Sequence, residues 1–318
     1  MADLKFASRN TFFLLILLFC RTSLRAQDAI QLGYKFHSGD HYQMSQDTKM
    51  DNYQTIRGVS TRVSQETMST LDFKVTSVSD HSAVMDARFT KLFLTASSNN
   101  QKMVINTMTA NHDKVNELFK SIIGKPFTVA MESDGTIDSI GGLESIISMV
   151  LQGVSDTNDA QQTALRAILN SQVSPEALRS SLQQVLPYYP QAPAIVNQTW
   201  ENTLQLPGPP AGSLISTWTL TYGDRLAVQL GYSALFSAPD SDQVIPLGGG
   251  FNGKISLSGS VQGNYSIDPS TGWPIMGILH TEYQGIYHYL ANRKMKLKSN
   301  LDVPVRIISD NEIKVLHL

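Results

Sequence analysis

The sequence predicts an α+β protein in which a large antiparallel β-sheet carries a central helical insert packed on one face. Three observations support this fold class. Long runs of alternating apolar and polar residues fill the first and last thirds of the chain, turn residues separate these runs, and helical periodicity appears between about 111 and 190. We therefore expect a single β-rich domain over residues 27–318, with a mainly helical insert at about 111–190.

The first 26 residues have the layout of a secretory signal peptide. Lys5 and Arg9 supply positive charge, and the apolar run Phe12–Phe19 follows them. As a helix this run would span only ~12 Å, less than the ~30 Å of a bilayer core, so no integral membrane segment is expected after signal cleavage. The sequence thus predicts an exported protein of the periplasm, cell envelope or extracellular space, cleaved after Ala26.

Cys20, the single cysteine, directly follows the apolar run. Lipid modification of this residue is disfavoured because the bulky Phe19 precedes it where lipoprotein signals prefer a small residue. We expect Cys20 to be removed with the signal peptide. The mature chain then has no thiol, which excludes disulfides, a thiolate nucleophile and cysteine-based metal sites.

The charge of the mature chain is negative. The whole sequence has 25 basic and 27 acidic residues, and removing Lys5, Arg9, Arg21, Arg25 and Asp3 leaves 21 basic against 26 acidic residues, a net charge of −5. Nucleic acids and anionic membranes attract basic surfaces. We therefore expect no nucleic-acid partner.

The clearest strand lies at 253–268, where odd positions are apolar or glycine and even positions are polar. Segments 213–222 and 225–237 alternate in the same way, 275–291 alternates more loosely, and a last strand is expected at about 303–317. The alternation predicts that Tyr222 and Leu226 point to the buried face. Turn residues between these runs predict an up-and-down antiparallel meander.

The N-terminal third predicts four more strands, at 30–36, about 41–56, about 59–78 and 83–95. Turns are expected at Ser38–Asp40 and Ser79–His81. The stretch 45–70 is polar on both faces, so its register is weakly specified. We expect that stretch to lie at a sheet edge or to protrude into solvent.

The insert predicts four helices, at 111–123, 142–152, 158–171 and 174–186. Asn111 is a suitable N-cap for the first helix, and Ser174 followed by Pro175 is a strong start for the last. A short hairpin turning at Ser133–Thr136 is expected between the first two helices.

Four short segments fit one pattern: Leu32–Asp40, Gly124–Phe127, Ser133–Ile137 and Gly142–Glu144. Together they resemble a family of exported Gram-negative, Bacteroidota-type proteins that is defined only as a domain of unknown function. Members of that family carry a Gly-Asp-x-Trp step into the second half of the sheet, where this chain has Val196–Trp200. The resemblance implies a shared fold and localisation, and it implies no activity.

The turn Ile267–Pro274 is similar to a hairpin found in periplasmic lipoprotein-carrier and lipid-binding half-barrels. This more distant likeness implies a large curved, half-barrel-like sheet with helices in its concavity. Fold does not determine function, so no ligand follows from the likeness.

Two sets of residues were considered as metal ligands. His37, Asp40 and His41 lie within five residues, but no further ligand is evident, so surface polar residues are the preferred interpretation. His280 and His288 share one face of a strand and would lie ~26 Å apart, too far to share one metal. The sequence thus predicts no metal site and no cofactor.

Motifs of catalysis are absent. The chain has no Gly-x-Ser-x-Gly, Ser-x-x-Lys or His-Glu-x-x-His motif, and Gly248–Gly250 lacks the strand-to-helix transition of a phosphate-binding loop. No catalytic or cofactor-binding residue is therefore nominated, and a non-enzymatic protein is expected. A hydrolase whose triad is dispersed along the sequence remains an alternative.

Two non-enzymatic functions stay open. In the first, an envelope protein holds a lipid or another apolar or amphipathic ligand between the sheet and the helices 142–152 and 174–186. The first of these helices is rich in apolar residues, namely Ile146, Ile147, Met149, Val150 and Leu151. In the second, a structural or interaction module has a filled core and meets its partners through strands 45–70. The sequence identifies neither the ligand-binding residues nor a protein partner.

Overall fold

The computed structural model describes most of the chain from residue 29 onward. The described residues are 29–56, 58–98, 101–109, 114–152, 169, 173–207, 211–238, 244–248 and 250–318. The predicted signal peptide, the predicted cap Asn111 and almost all of the predicted helix 158–171 lie outside these residues, so all three stay predictions.

Within the described residues, thirteen antiparallel strands form one sheet. The strands are β1 His41–Ile56, β2 Val59–Val78, β3 Ser82–Ser98, β4 Gln101–Asn106, β5 Phe127–Glu132, β6 Ile137–Gly141, β7 Thr199–Leu206, β8 Gly212–Gly223, β9 Val228–Ala238, β10 Ile245–Gly248, β11 Phe251–Ile267, β12 Pro274–Tyr289 and β13 Leu301–His317. The helices are α1 Lys114–Lys120, α2 Leu143–Gln152 and α3 Pro175–Val185, with a short 3-10 turn at Arg293–Met295.

The sheet is open. Its strands follow the order β6-β5-β3-β2-β1-β13-β12-β11-β9-β8-β7, with β4 paired to β3 and β10 paired to β11. Strands β6 and β7 are the two edges, and the first and last long strands, β1 and β13, pair in the middle. Apolar residues of α2 and α3 join one core with the inward-facing residues of the sheet. The predicted fold class, a large antiparallel sheet with helices on one face, is confirmed.

The alternation predicted for β11 is confirmed. Leu257 points into the core and is 5% exposed, whereas the adjacent Ser258 lies on the opposite face and is exposed. Strand β9 alternates just as strictly, with buried residues at every second position from Val228 to Ala238. One face of this part of the sheet is therefore buried along the whole length of the strands.

Two residues predicted to face inward point outward instead. The register between β8 and β9 shifts between Leu220 and Tyr222, and the side chain of Tyr222 is 47% exposed. Leu226 precedes the first residue of β9 and is 88% exposed in the turn. A one-residue irregularity reverses the face of every residue beyond it, which an alternating sequence cannot reveal.

The predicted strand 30–36 is also wrong. Among these residues Ile30 forms only an isolated bridge with Ala194, and the backbone N–H of Tyr34 donates to the carbonyl of Ser133. Leu32 and Tyr34 are nevertheless buried in the core. The segment is therefore an extended connection that closes one end of the core.

The polar stretch 45–70 does not lie at an edge. Strand β1 pairs with both β2 and β13, and β2 pairs with both β1 and β3. The expectation of an edge or of a protruding segment was therefore wrong. These two polar strands occupy the middle of the sheet, and their inward-facing residues face the helices.

The helical insert follows the prediction in most respects. Helix α3 begins as predicted, because Ser174 Oγ accepts a hydrogen bond from the N–H of Ala177 and Pro175 occupies the first turn. Helix α2 agrees with the predicted helix 142–152. Helix α1 ends at Lys120, three residues earlier than predicted. The hairpin β5–β6 was predicted, and it extends the main sheet by pairing with β3.

Glycine residues allow neighbouring strands to approach closely and the sheet to bend toward its buried face. A Cβ atom at Gly259 of β11 would overlap the carbonyl oxygen of Glu282, and one at Gly285 of β12 would overlap that of Ser256. Both glycines occupy inward-facing positions of adjacent strands. Glycine is needed where neighbouring backbones approach this closely. The buried face is therefore concave, and we call it the concave face.

Candidate functional site

A groove lies between the concave face and helices α1 and α3, with a volume of about 210 Å³. One side consists of uncharged polar residues of β1, β2 and α3: Gln46, Thr48, Gln65, Thr67, Ser69 and Ser181. Much of the other side is apolar and comes from β3, β4, α1 and α3: Leu92, Leu94, Ile105, Phe119, Leu178 and Leu182. The groove is therefore amphipathic in cross-section.

Strand register assembles the polar side. Thr48 of β1 pairs with Thr67 of β2 and, on its other side, with Asn311 of β13. Because alternate residues of a strand share a face, the neighbouring polar residues point in the same direction. We call this set of inward-facing residues the polar floor: Gln46, Thr48, Gln65, Thr67, Ser69, Ser309 and Asn311.

Two amide oxygens on the concave face lack a hydrogen-bond donor. The Oδ1 atoms of Asn52 and Asn311 are buried, and no residue in the described part of the chain donates to them. Asn311 belongs to the polar floor, and Asn52 lies four residues beyond Thr48 on β1. A buried acceptor without a donor is uncommon in proteins and needs an explanation.

The concave face continues beyond the polar floor as a half-buried aromatic surface. The rings of Phe236 and Tyr283 meet above Gly259, with their centroids 4.9 Å apart. Tyr283 is in turn the cross-strand neighbour of Ile307, and both are only partly buried. Burial raises the pKa of the Tyr283 phenol above its ordinary value. This surface offers apolar contact beside the groove.

Three buried tyrosines hold the segment after α3 against the rest of the core. Tyr265 Oη donates to the carbonyl of Val185 at 3.0 Å, and Tyr34 Oη donates to that of Pro187 at 3.2 Å. Tyr189 Oη donates to the carbonyl of Gly272 at 2.6 Å. Burial raises the pKa of all three phenols well above the usual value of 10.0. Helix α3 is therefore fixed at its C-terminal end, next to the groove.

These tyrosines predict a loss of stability in alkali. An unfolded phenol ionises near pH 10, whereas the buried phenols of Tyr34, Tyr189 and Tyr265 keep their protons, so their contribution is complete below about pH 10 and falls as the pH rises further. We expect each to lower the unfolding free energy by roughly 1.4 kcal/mol per pH unit above pH 10. Denaturant melts between pH 9 and 12 measure this slope.

Tyr265→Phe is the control for that titration. Above pH 10 the unfolding free energy of the variant should fall less steeply with pH, by roughly 1.4 kcal/mol per pH unit. At neutral pH the variant should be less stable by roughly 1–3 kcal/mol, because the carbonyl of Val185 then lacks a donor. A slope that is unchanged in Tyr265→Phe would show that this phenol ionises in the folded state.

Of the two helices predicted to cover the groove, α3 does so and α2 does not. Helix α3 contributes Leu178 and Leu182 to the groove, as predicted. Helix α2 does not line it: Ile146 and Val150 pack into the core outside the groove, and Met149 is 40% exposed. Part of the cover comes instead from Phe119 of α1.

The two histidines near the start of β1 lie beside different carboxylates, His37 beside Asp40 and His41 beside Asp72. Asp40 accepts hydrogen bonds from the His37 N–H and from Tyr42 Oη, both at 3.0 Å, whereas His41 lies 3.8 Å from Asp72. Partial burial raises the pKa of Asp40, but the hydrogen bonds from His37 and Tyr42 outweigh this effect and lower it overall. No trio of His, Cys, Asp or Glu among the described residues is arranged to hold a metal.

The second pair of histidines lies on the convex face. His280 Nδ1 is 2.7 Å from Asp310, and His288 Nδ1 is 2.8 Å from Asp302. Arg306 contacts Glu282 between these pairs. These side chains form cross-strand pairs on the outside of β12 and β13, away from the groove.

A larger crevice of about 770 Å³ opens on the surface near Ala29 and Lys35. The turn at Asp224 forms one of its walls. That carboxylate already accepts hydrogen bonds from Tyr222 Oη and from the N–H groups of Leu226 and Ala227. The Asp224 carboxylate is therefore engaged within its own turn.

Sequence reasoning missed the polar floor, although a signal was present. In β1 the charged residues Asp47, Lys49 and Asp51 occupy odd positions, whereas the even positions from Tyr42 to Gln54 carry no charge. Charge alternates with the period of a strand even though polarity does not. Polar positions without charge between charged neighbours thus mark the inward face.

Residues 80–274 match a family described as a family of unknown function, DUF6263. The chain belongs to this family. The predicted resemblance to a domain of unknown function is thereby confirmed, while the Gram-negative, Bacteroidota-type source stays a prediction. The family match spans β3 to β11 and the three helices, so β1, β2, β13 and all of β12 except Pro274 lie outside it.

The similarity of the chain to solved structures is distant. A structure on lipid–protein interactions in lipovitellin is 15% identical with a TM-score of 0.47, covering 89% of this chain and 25% of that one. The chain thus spans a quarter of the lipovitellin chain. An outer membrane channel from Pseudomonas putida F1 is 6% identical with a TM-score of 0.25, covering 89% and 97% of the two chains. None of these likenesses bears on function.

The translocator domain of the autotransporter NalP from Neisseria meningitidis is 7% identical with a TM-score of 0.19, covering 96% of this chain and 95% of that one. No curated protein matches the chain. Among the described residues, no helix combines the length and apolar character needed to cross a membrane.

Proposed function

We propose that this chain is an exported, non-enzymatic protein of the cell envelope that holds an amphipathic molecule in the groove. The groove itself is the observation that carries the proposal. It joins a polar side on β1 and β2 to an apolar side on β3, β4, α1 and α3. Such a cross-section matches a molecule that has one polar and one apolar end.

The size of the groove sets how such a ligand would lie. An apolar cavity of about 150 Å³ holds benzene in another protein, so a groove of about 210 Å³ has room for part of an alkyl chain. Pockets that enclose a whole drug-sized ligand usually measure about 300–1,000 Å³. The remainder of a longer chain would rest on the half-buried aromatic surface around Tyr283.

Export and the absence of catalysis are parts of the same proposal. The signal-peptide layout of residues 1–26 supports export. Among the described residues, the side chains that line the groove are hydroxyls, amides and hydrocarbons, with no histidine, carboxylate or amine. General acid–base catalysis needs a titratable group within hydrogen-bonding reach of the reacting atom, so this lining favours binding.

A groove-filling substitution tests the proposal. Ser69 lines the groove on β2, and Ser69→Phe should place a ring in the space that a ligand would occupy. We expect the affinity of the mature protein for a neutral naphthylamine dye to fall at least about fivefold, because the new ring and the dye cannot occupy the same space. Dye fluorescence titration measures the change.

Ser258→Phe is the matched control, since Ser258 is exposed on the convex face of β11 and the same ring there leaves the groove open. Its dye uptake should equal that of the unmodified protein. An unmodified protein that excludes the dye, and whose melting temperature ignores added lipids, would instead support the filled-core structural module.

A further inference from the structure

The polar floor carries no charge, and this determines which amphipathic molecules fit. In the described parts of β1, β2 and β13, inward-facing positions carry no Lys, Arg, Asp or Glu. The charged residues of these strands point to the convex face, where Asp51 pairs with Arg62 and Glu282 of β12 pairs with Arg306. An ionised headgroup placed on the floor would therefore find no counter-ion on the inward face of these three strands.

Burying an ion without a partner is costly, whereas an uncharged polar group needs only hydrogen bonds. The floor supplies these bonds through hydroxyls such as Thr48 and Thr67 and through the amide of Asn311. Electrostatics thus disfavour a carboxylate or phosphate in the groove and favour a neutral headgroup.

The unpaired amide oxygen of Asn311 specifies the headgroup further. Asn311 Oδ1 is a buried acceptor without a donor among the described residues, whereas the amide of Asn52 is already hydrogen-bonded to the phenol of Tyr287. Asn311 pairs with Thr48, which lines the groove, so its amide lies at the margin of the groove's polar side. A hydroxyl both donates and accepts, so it can bond a side-chain amide in either orientation.

We infer that the groove selects an uncharged amphiphile whose headgroup carries hydroxyls, such as a monoacylglycerol, over fatty acids and phosphorylated lipids. This inference rests on the proposed function and identifies the class of ligand. Asn311 receives the hydroxyl, the rest of the polar floor surrounds the headgroup, and the alkyl chain lies against Leu178, Leu182 and Phe119.

Three lipids with the same oleoyl chain separate the effects of charge and of hydrogen bonding: monoolein, methyl oleate and ionised oleate at pH 9. Each is titrated below its aggregation limit against the dye-loaded mature protein. Monoolein should bind at least about tenfold more tightly than oleate, because oleate places an unpaired charge on the floor. Methyl oleate, which has no hydrogen-bond donor, should lie between them.

Asn311→Leu tests the role of the amide, since leucine has the same branching at Cγ but no polar atoms. Monoolein affinity should fall about fivefold, and methyl oleate affinity should not change. The melting temperature without lipid should be unchanged or about 1–3 °C higher, because an unsatisfied buried acceptor has been removed. A purely structural role for Asn311 would lower the melting temperature instead.

The outcomes are distinguishable. Oleate binding as tightly as monoolein, or equal losses for monoolein and methyl oleate in Asn311→Leu, would overturn the inference while leaving a lipid-binding groove. Failure of all three lipids to displace the dye or to stabilise the protein would overturn the proposed function together with the inference.

Discussion

Leu257→Asp should lower the free energy of unfolding by several kcal/mol. Leu257 is 5% exposed in the middle of β11, and its cross-strand neighbours on the concave face are Ala238 and Gly285. Neither neighbour can pair with a carboxylate, so the substitution would bury a charge without a partner. Urea or guanidinium melts followed by circular dichroism measure the loss.

Ser258→Asp, one residue along the same strand, is the matched control. Ser258 points to the convex face and is exposed, so a carboxylate there remains in water. We expect a change of less than about 1 kcal/mol. Equal losses in the two variants would mean that β11 is not buried on one side, which contradicts the fold.

Gly285→Ala should be nearly as damaging although it adds a single methyl group. The new Cβ would overlap the carbonyl oxygen of Ser256 and lie 2.9 Å from the Cα of Leu257. Both atoms belong to the backbone of β11, so no side-chain rotation relieves the overlap. We expect a loss of about 3 kcal/mol or more in the free energy of unfolding, measured by thermal and denaturant melts.

Gly231→Ala is the control that tests whether the loss of stability is specific to glycines on the concave face. Gly231 lies on β9, and a Cβ there would meet only side-chain atoms, with Cγ2 of Thr221 at 3.3 Å. Its expected change is within about 1 kcal/mol, and it can be stabilising because alanine restricts the unfolded chain. Similar losses at Gly231 and Gly285 would argue against a sharply curled sheet.

The strands on the C-terminal side of the sheet were predictable because one of their faces is apolar. Along β11 the apolar and polar residues alternate at nearly every position, and the structure buries the apolar ones. The face of Tyr222 could not be predicted, since the register shift before it depends on how β8 and β9 twist against each other.

The groove was harder to predict than the sheet. Its polar side resembles a solvent-exposed strand in sequence, because Gln46 and Thr48 are typical of either environment. The choice between α2 and α3 as its cover depends on tertiary packing: both helices bury an apolar face in the core, yet only α3, through Leu178 and Leu182, also lines the groove. Periodicity shows that a helix has an apolar face and does not show what covers it.

The gap between edge strands β6 and β7 has a mechanical consequence. In a closed barrel the radius is fixed by the number of strands and their stagger, so the interior cannot widen without breaking backbone hydrogen bonds. In this sheet no hydrogen bonds join β6 to β7. The two edges can therefore separate or approach by small changes of twist between neighbouring strands, and the space above the polar floor can adjust to chains of different bulk with every strand still paired.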